Sequence, residues 1–325
     1  MPEAAIAVVI PAYNAGRFLS EAIESVRSQS LANWECMIVD DGSTDGTEDL
    51  LRKYKDPRIQ SLRQENLGER VARLNGFQLT EAAKIVFLDA DDRLFPDTLA
   101  RYSDFLDCHP RADVVYGERA LITEDGQTLG PRRGAYLNKH PTGDVLQPIL
   151  RRPFISTPAQ ACLRRTAVPS AESQRGFGCG MEDWLLLAAA ALDSRFAYLG
   201  KSPVVEYRVH AGGQHRRFGS NGKKEVDTRE FGDILDQLFA FPGLEERIGV
   251  TKLPQLRRAT QASCLAIKGQ EFLRHREYLT ARRHFSAAIA AGSRDIRDIL
   301  CWAATFSPFL LHWAEPLYGV VSTED

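Results

Sequence analysis

The stretch Lys84-Ile85-Val86-Phe87-Leu88-Asp89-Ala90-Asp91-Asp92 decides the fold class. Its apolar half is a short run suited to a strand buried on both faces, and three acids follow at the carboxyl end. Working outward, residues 5–10, 36–39 and 113–116 are similar apolar or β-branched runs bounded by polar or turn residues. Residues 16–30, 47–55 and 69–81 carry apolar positions at helical spacing. Strands alternating with helices predict an α/β protein with a mainly parallel sheet flanked by helices. Ligands of such sheets bind beyond the carboxyl ends of the strands. That singles out Pro11-Ala12-Tyr13-Asn14, Asp40-Asp41-Gly42-Ser43 and Asp89-Ala90-Asp91-Asp92.

The 325 residues suffice for one large domain or two, and 44% hydrophobic with 26% charged residues is the composition of a globular chain. Forty-one Lys+Arg against 43 Asp+Glu leave a net charge of −2, which excludes nucleic acid as a whole-surface partner. Six cysteines without a C-x-x-C pair give neither a zinc site nor a disulfide framework, and a cytoplasmic location is expected. The amino terminus lacks a basic n-region, so the mature chain is expected to begin at Met1. Residues 299–314 fall short of the ~20 apolar residues that a membrane-spanning helix needs.

Residues 1–225 are read as one catalytic unit and 226–325 as a helical C-terminal region. Within the first, residues 117–156 show no regular pattern, 183–192 predict a helix and 203–207 a strand. Residues 212–224, glycine-rich and basic, predict a mobile loop. Between 251 and 297 ten basic residues face three acids, and Trp302, Phe306, Phe309, Leu310, Trp313 and Tyr318 follow. That combination suits either peripheral contact with an anionic membrane, at the inner face of the plasma membrane, or packing against the catalytic unit.

Three carboxylates at a buried strand tip are costly unless a cation sits among them. Hard oxygen ligands suit Mg²⁺ or Mn²⁺, which also take phosphate oxygens, so the cluster reads as a nucleotide-diphosphate site. Its plainer reading is an acidic cap for the helix near Pro96. Capping explains Ser43 to Asp45 but not both Asp40 and Asp41, which leaves Asp40 to accept hydrogen bonds from a base or ribose. No G-x-G-x-x-G follows the first strand and no Walker loop occurs, so dinucleotide and P-loop folds are excluded. The same lack of a glycine-rich phosphate loop disfavours an enzyme that makes sugar nucleotides.

Four segments in order resemble the signatures of family-2 inverting glycosyltransferases. They are Val8-Val9-Ile10-Pro11-Ala12-Tyr13-Asn14, Ile38-Val39-Asp40-Asp41-Gly42-Ser43-Thr44-Asp45, Asn66-Leu67-Gly68 with Ala72-Arg73-Leu74-Asn75-Gly76, and Leu88-Asp89-Ala90-Asp91-Asp92. The resemblance implies a glycosyltransferase A fold, a nucleotide-sugar donor (usually a uridine diphosphate sugar), a divalent cation (Mn²⁺ or Mg²⁺) and a glycan or lipid-linked glycan acceptor. By motif, Pro11, Ala12, Tyr13 and Asn14 would line the nucleoside and Asp40 would meet the base. Asp89 would approach the ribose or a metal-bound water, Ala90 would belong to the nucleotide-sugar site, Asp91 would bind metal, and Arg70 or Arg73 would lie near the nucleotide. Gly180-Met181-Glu182-Asp183-Trp184 resembles the family's later Glu-Asp motif, with Asp183 as the base and Glu182 as its neighbour or an acceptor ligand. Tyr207-Arg208-Val209-His210 makes His210 a further metal or diphosphate ligand. The competing expectation is a nucleotide-sugar-binding subunit without activity.

Overall fold

The computed structural model describes residues 4–129, 140–171, 181–210, 231–274 and 276–306. Its eight strands are β1 (Ile6–Ala12), β2 (Trp34–Asp40), β3 (Ile59–Arg63), β4 (Lys84–Phe87), β5 (Arg93–Leu94), β6 (Val114–Ile122), β7 (Ala161–Arg164) and β8 (Phe196–Arg208). They form one sheet in the order β3-β2-β1-β4-β7-β6-β8-β5. β3, β2, β1 and β4 are parallel neighbours. β7 runs antiparallel to both β4 and β6, and β6 pairs in parallel with β8. The carboxyl ends of β1, β2, β4, β6 and β8 therefore meet at one edge.

The helices between the strands are α1 (Leu19–Arg27), α2 (Thr47–Leu51), α3 (Glu69–Gln78), α4 (Thr98–Cys108), α5 (Leu146–Arg151) and α6 (Glu182–Ala190). α1 buries Leu19, Ala22, Ile23 and Val26, the i, i+3, i+4, i+7 stripe, in the same core cluster as Ile6, Val8 and Ile10 of β1. Ala7 and Val9 belong to the core on the opposite face, together with α5 and α6. That core also takes in α7 (Gly232–Phe239), α8 (Leu244–Ile248), α9 (Leu253–Arg274), α10 (Tyr278–Ala290) and α11 (Ile296–Ala304). α9 is tied to α5 by the Thr260 hydroxyl, which donates to the Leu150 carbonyl at 3.0 Å. Among the described residues no helix is long and apolar enough to cross a membrane, and Cys36, Cys108, Cys162, Cys264 and Cys301 are free thiols.

The segment 117–156, expected to be irregular, contains the rest of β6 and the whole of α5. Glu118 and Arg119 break the apolar run of β6, which hides the strand from a hydrophobicity pattern. β8 starts at Phe196, earlier than expected, because its pairing jumps from Tyr116 opposite Tyr198 to Glu118 opposite Pro203. This bulge places Gly200, Lys201 and Ser202 inside a strand. The basic loop 212–224 and the aromatic residues Phe309, Leu310, Trp313 and Tyr318 lie outside the described residues.

Gly76 lets α3 sit directly on the sheet. A Cβ there would come within 2.5 Å of Val9 Cγ1 and 3.1 Å of Val39 Cγ2. Both neighbours are stiff, β-branched and buried, so they cannot swing aside. We expect Gly76→Ala to lower stability by a net ~1–2 kcal/mol, overpacking outweighing the better helix propensity of alanine. Urea unfolding of the two proteins measures it.

Candidate functional site

The first wall of the site is two loops stitched together. Pro11 and Ala12 are buried at the end of β1, while Tyr13 and Asn14 emerge exposed, Asn14 in the left-handed region at φ 49°. The Asn14 amide donates to Ser43 Oγ at 2.9 Å, and Asn14 Oδ1 accepts from the Thr44 amide at 2.8 Å. The Gly16 amide donates to Asp45 Oδ2 at 3.1 Å. Ser43 and Asp45 thus join the β2 loop to the β1 loop, beyond the capping expected of them.

Asp40 is 1% exposed, and both its oxygens are engaged. Oδ1 accepts from the Ser43 amide at 2.9 Å and Oδ2 from Arg63 Nη1 at 2.8 Å. Asp41 shapes a different loop, accepting from Gln64 Nε2, the Leu67 amide and the Gly68 amide at 2.7, 2.9 and 2.8 Å.

Asp89, Asp91 and Asp92 each bring a carboxylate oxygen within 4.8 Å of the others. None caps α4, whose N-terminal residue Asp97 makes no side-chain cap. Asp92 is buried, with Oδ1 accepting from the Arg208 amide at 3.0 Å and Oδ2 from the Thr157 hydroxyl at 3.0 Å. Burial, reinforced by the charge of Asp91, pushes the Asp92 carboxyl well above the usual carboxylate range. Asp91 is more open and faces His210, whose Nε2 lies 2.9 Å from Asp91 Oδ2. His210 also meets the ring of Phe18 edge-on at 4.9 Å. These are hard oxygen donors with one imidazole beside them, a set that fits Mg²⁺ or Mn²⁺.

Arg73 joins this cluster to α6. Its buried guanidinium reaches Asp89 Oδ1 at 2.8 Å, Asp183 Oδ1 at 2.6 Å and the carboxylate of Glu69 one turn earlier. Asp183 is consequently more than a dipole-stabilised helix start. Burial pushes its carboxyl up to about 6, Arg73 holding it down and Glu69 and Glu182 raising it. Glu182 precedes it, half-buried at the start of α6. Arg70, three residues before Arg73, is half-buried and makes no ion pair among the described residues. Ala90 sits partly exposed between the two acids.

Three supporting residues escaped sequence reasoning. Arg208 has a fully buried side chain, with Nε donating to the Asp91 carbonyl at 2.8 Å, Nη1 to the Glu124 carbonyl at 2.7 Å and Nη2 to Glu21 at 2.8 Å. Thr157 braces Asp92, and Arg63 holds Asp40. Arg208 stood inside a segment already noted for its histidine; nothing in the local sequence marks Thr157 or Arg63.

Residues 7–169, half of the chain, match the family model for glycosyl transferase family 2. The putative teichuronic acid biosynthesis glycosyltransferase TuaG of Bacillus subtilis is 38% identical over 127 residues, 38% of this chain and 50% of that protein. An uncharacterized protein of Sinorhizobium fredii is 40% identical over 126 residues, 37% of this chain and 14% of its own length. The match thus spans half or less of both relatives. An uncharacterized glycosyltransferase of Nostoc is 26% identical over 272 residues, 78% of this chain and 81% of that one. The crystal structure of S. aureus TarS 1-349 in complex with UDP-GlcNAc superposes with a TM-score of 0.59 at 18% identity, covering 96% of this chain and 88% of that 1-349 chain. That likeness is one of fold.

Replacing Arg73 by methionine leaves Glu69, Asp89 and Asp183 without the cation they share. We expect a loss of ~2 kcal/mol or more, less than for a fully buried ion network because the carboxylates keep some water. Arg73→Lys retains part of it. Urea midpoints of the three proteins read the difference.

Proposed function

The chain belongs to glycosyl transferase family 2, and from that premise we propose that it moves a sugar from a nucleotide diphosphate donor, UDP in first place, to a hydroxyl acceptor with inversion. The observation that carries the reading is the meeting at one sheet edge of the acidic cluster and Asp183, bridged by Arg73. The UDP-GlcNAc in the TarS crystal and the biosynthetic name of TuaG support a UDP-sugar donor and a place in surface polysaccharide or glycolipid assembly.

In this reading Pro11, Ala12, Tyr13 and Asn14 line the nucleoside. Asp40 serves the base through the loop it holds, since its own oxygens are already engaged. Asp89 and Ala90 approach the ribose, with Arg73 and Arg70 beside the nucleotide. Asp91 and His210 hold Mn²⁺ or Mg²⁺, which when bound neutralises the diphosphate and makes it a better leaving group. Asp183 removes the proton of the acceptor hydroxyl as that oxygen bonds to the anomeric carbon and the bond to the diphosphate oxygen breaks. Glu182 flanks the acceptor.

Asp183 must be deprotonated to act. With its carboxyl at about 6, it is ionised at neutral pH, and kcat/KM falls as pH drops through about 6. Transfer to water or to added acceptors, measured with UDP-sugars and Mn²⁺, tests the function; a protein that binds donor and never turns it over is the inactive subunit instead. Asp183→Asn is expected to keep fold and donor affinity while lowering kcat by at least ~10²-fold. A near wild-type rate would move the base elsewhere, to Glu182 first.

Peripheral membrane contact belongs to the same reading. Ile296, Ile299, Leu300 and Phe306 are exposed on and just after α11, with Arg283 and Arg294 exposed nearby in sequence. Flotation of the full chain with anionic vesicles at low salt, and its loss in a chain ending before Asp298, is the expected result. Packing of these residues against a protein partner gives no flotation.

A further inference from the structure

We propose that Arg119 is the binding residue for a phosphate oxyanion beside the acidic cluster, a role distinct from the cation held by Asp91. Arg119 lies on the last half of β6, opposite Val205 of β8 and close to the edge where the candidate site forms. Its guanidinium carbon stands 5.0 Å from the centre of the Tyr207 ring. Its Nε and Nη1 are buried and have no hydrogen-bond partner among the described residues, and it makes no ion pair among them.

Four other arginines near this edge are engaged. Arg73 spends its terminal nitrogens on three carboxylates, although its Nε is also left over. Arg208 is held by main-chain carbonyls and Glu21, Arg93 by Glu206 and Glu21, and Arg63 by Asp40 and Glu48. Arg119 differs from these four: it cannot shed its proton, and its Nε and Nη1 are withdrawn from water and given nothing in return. The ring of Tyr207 takes one face of the guanidinium and leaves Nε and Nη1 unsatisfied. Tyr207 precedes Arg208, whose amide donates to Asp92 at 3.0 Å, so the Arg119 guanidinium packs on the stretch of β8 that anchors the acidic cluster.

A planar fork of N–H donors matches two oxygens of a phosphate or a carboxylate, and at a nucleotide-diphosphate site the phosphate is the anion at hand. Taking the glycosyl-transfer reading as its premise, two sources can deliver that group: the sugar-bearing phosphate of the donor, or a phosphate carried by the acceptor. Both dock the same chemistry on the same donors.

Calorimetry with Arg119→Gln and Arg119→Lys, each checked by its melting temperature, separates the sources. The probes are UMP and UDP with Mn²⁺, and inorganic phosphate titrated into both free and UDP-saturated protein. A loss of about tenfold or more in UDP affinity with UMP unchanged assigns the donor phosphate. The same loss for inorganic phosphate with UDP unchanged assigns an acceptor phosphate. Arg119→Lys, which keeps the charge without the fork, recovers part of either loss. Unchanged affinity for both probes in folded variants overturns the assignment of Arg119. Wild-type protein that ignores UDP yet binds phosphate through Arg119 overturns the transferase reading alone.

Discussion

The guanidinium of Arg73 sets the geometry on which the rest of the site depends. Three carboxylates from three different elements converge on it: Glu69 from its own helix, Asp89 from the loop after β4, and Asp183 from α6. Without a shared cation these acids would repel, and α6 would lose the tie of Asp183 to the strand edge. α6 is otherwise positioned by burial, its Trp184 indole N–H donating to the Ile149 carbonyl at 2.6 Å. Packing therefore brings the helix to the sheet, and Arg73 fixes which residue of its first turn faces the acids. The same contact sets the chemistry of Asp183. Burial favours the neutral acid, while the cation keeps its carboxyl low enough to be ionised at neutral pH.

A second set of bonds holds the acidic loop from behind. Asp92 is spent on the Arg208 amide and Thr157, so it anchors the loop while Asp91 stays open. Arg208 grips the Asp91 carbonyl and Glu21 of α1, linking the last strand of the sheet to the first helix. Three consecutive positions thus differ in duty: Asp91 faces outward, Ala90 takes little space, and Asp92 is structural. Residue type alone does not reveal that division, because each acid carries the same charge.

The strand tips and their acids were legible in the sequence because strand ends in an alternating α/β chain share one edge by topology. β1, β2 and β4 show as short apolar runs, and Asp183 shows through the resemblance of Gly180-Met181-Glu182-Asp183-Trp184 to the family's Glu-Asp motif. The bulged strand β8 and the polar-interrupted β6 were hidden, since each violates the pattern used to find strands. Arg63 and Thr157 were hidden for a different reason. They come from β3 and from the turn before β7, and only the folded register places them beside Asp40 and Asp92. Of the two edge strands, β5 has only two residues, and β3, Ile59-Gln60-Ser61-Leu62-Arg63, is largely exposed and carries no apolar run.

Asp41 and Gly42 show how a rim is held in shape by the main chain. The Asp41 carboxylate takes the amides of Leu67 and Gly68, and Gly42, at φ 74°, leaves room for the Asn66 amide nitrogen, 2.8 Å from where a Cβ would stand. The contour of residues 64–68 is therefore written at positions 41 and 42 and not by the exposed side chains of Glu65, Asn66 and Leu67 themselves. Those three positions form an editable margin. Their lettering can drift and alter what the rim offers to solvent or to a neighbouring molecule, while the outline of the cleft stays put.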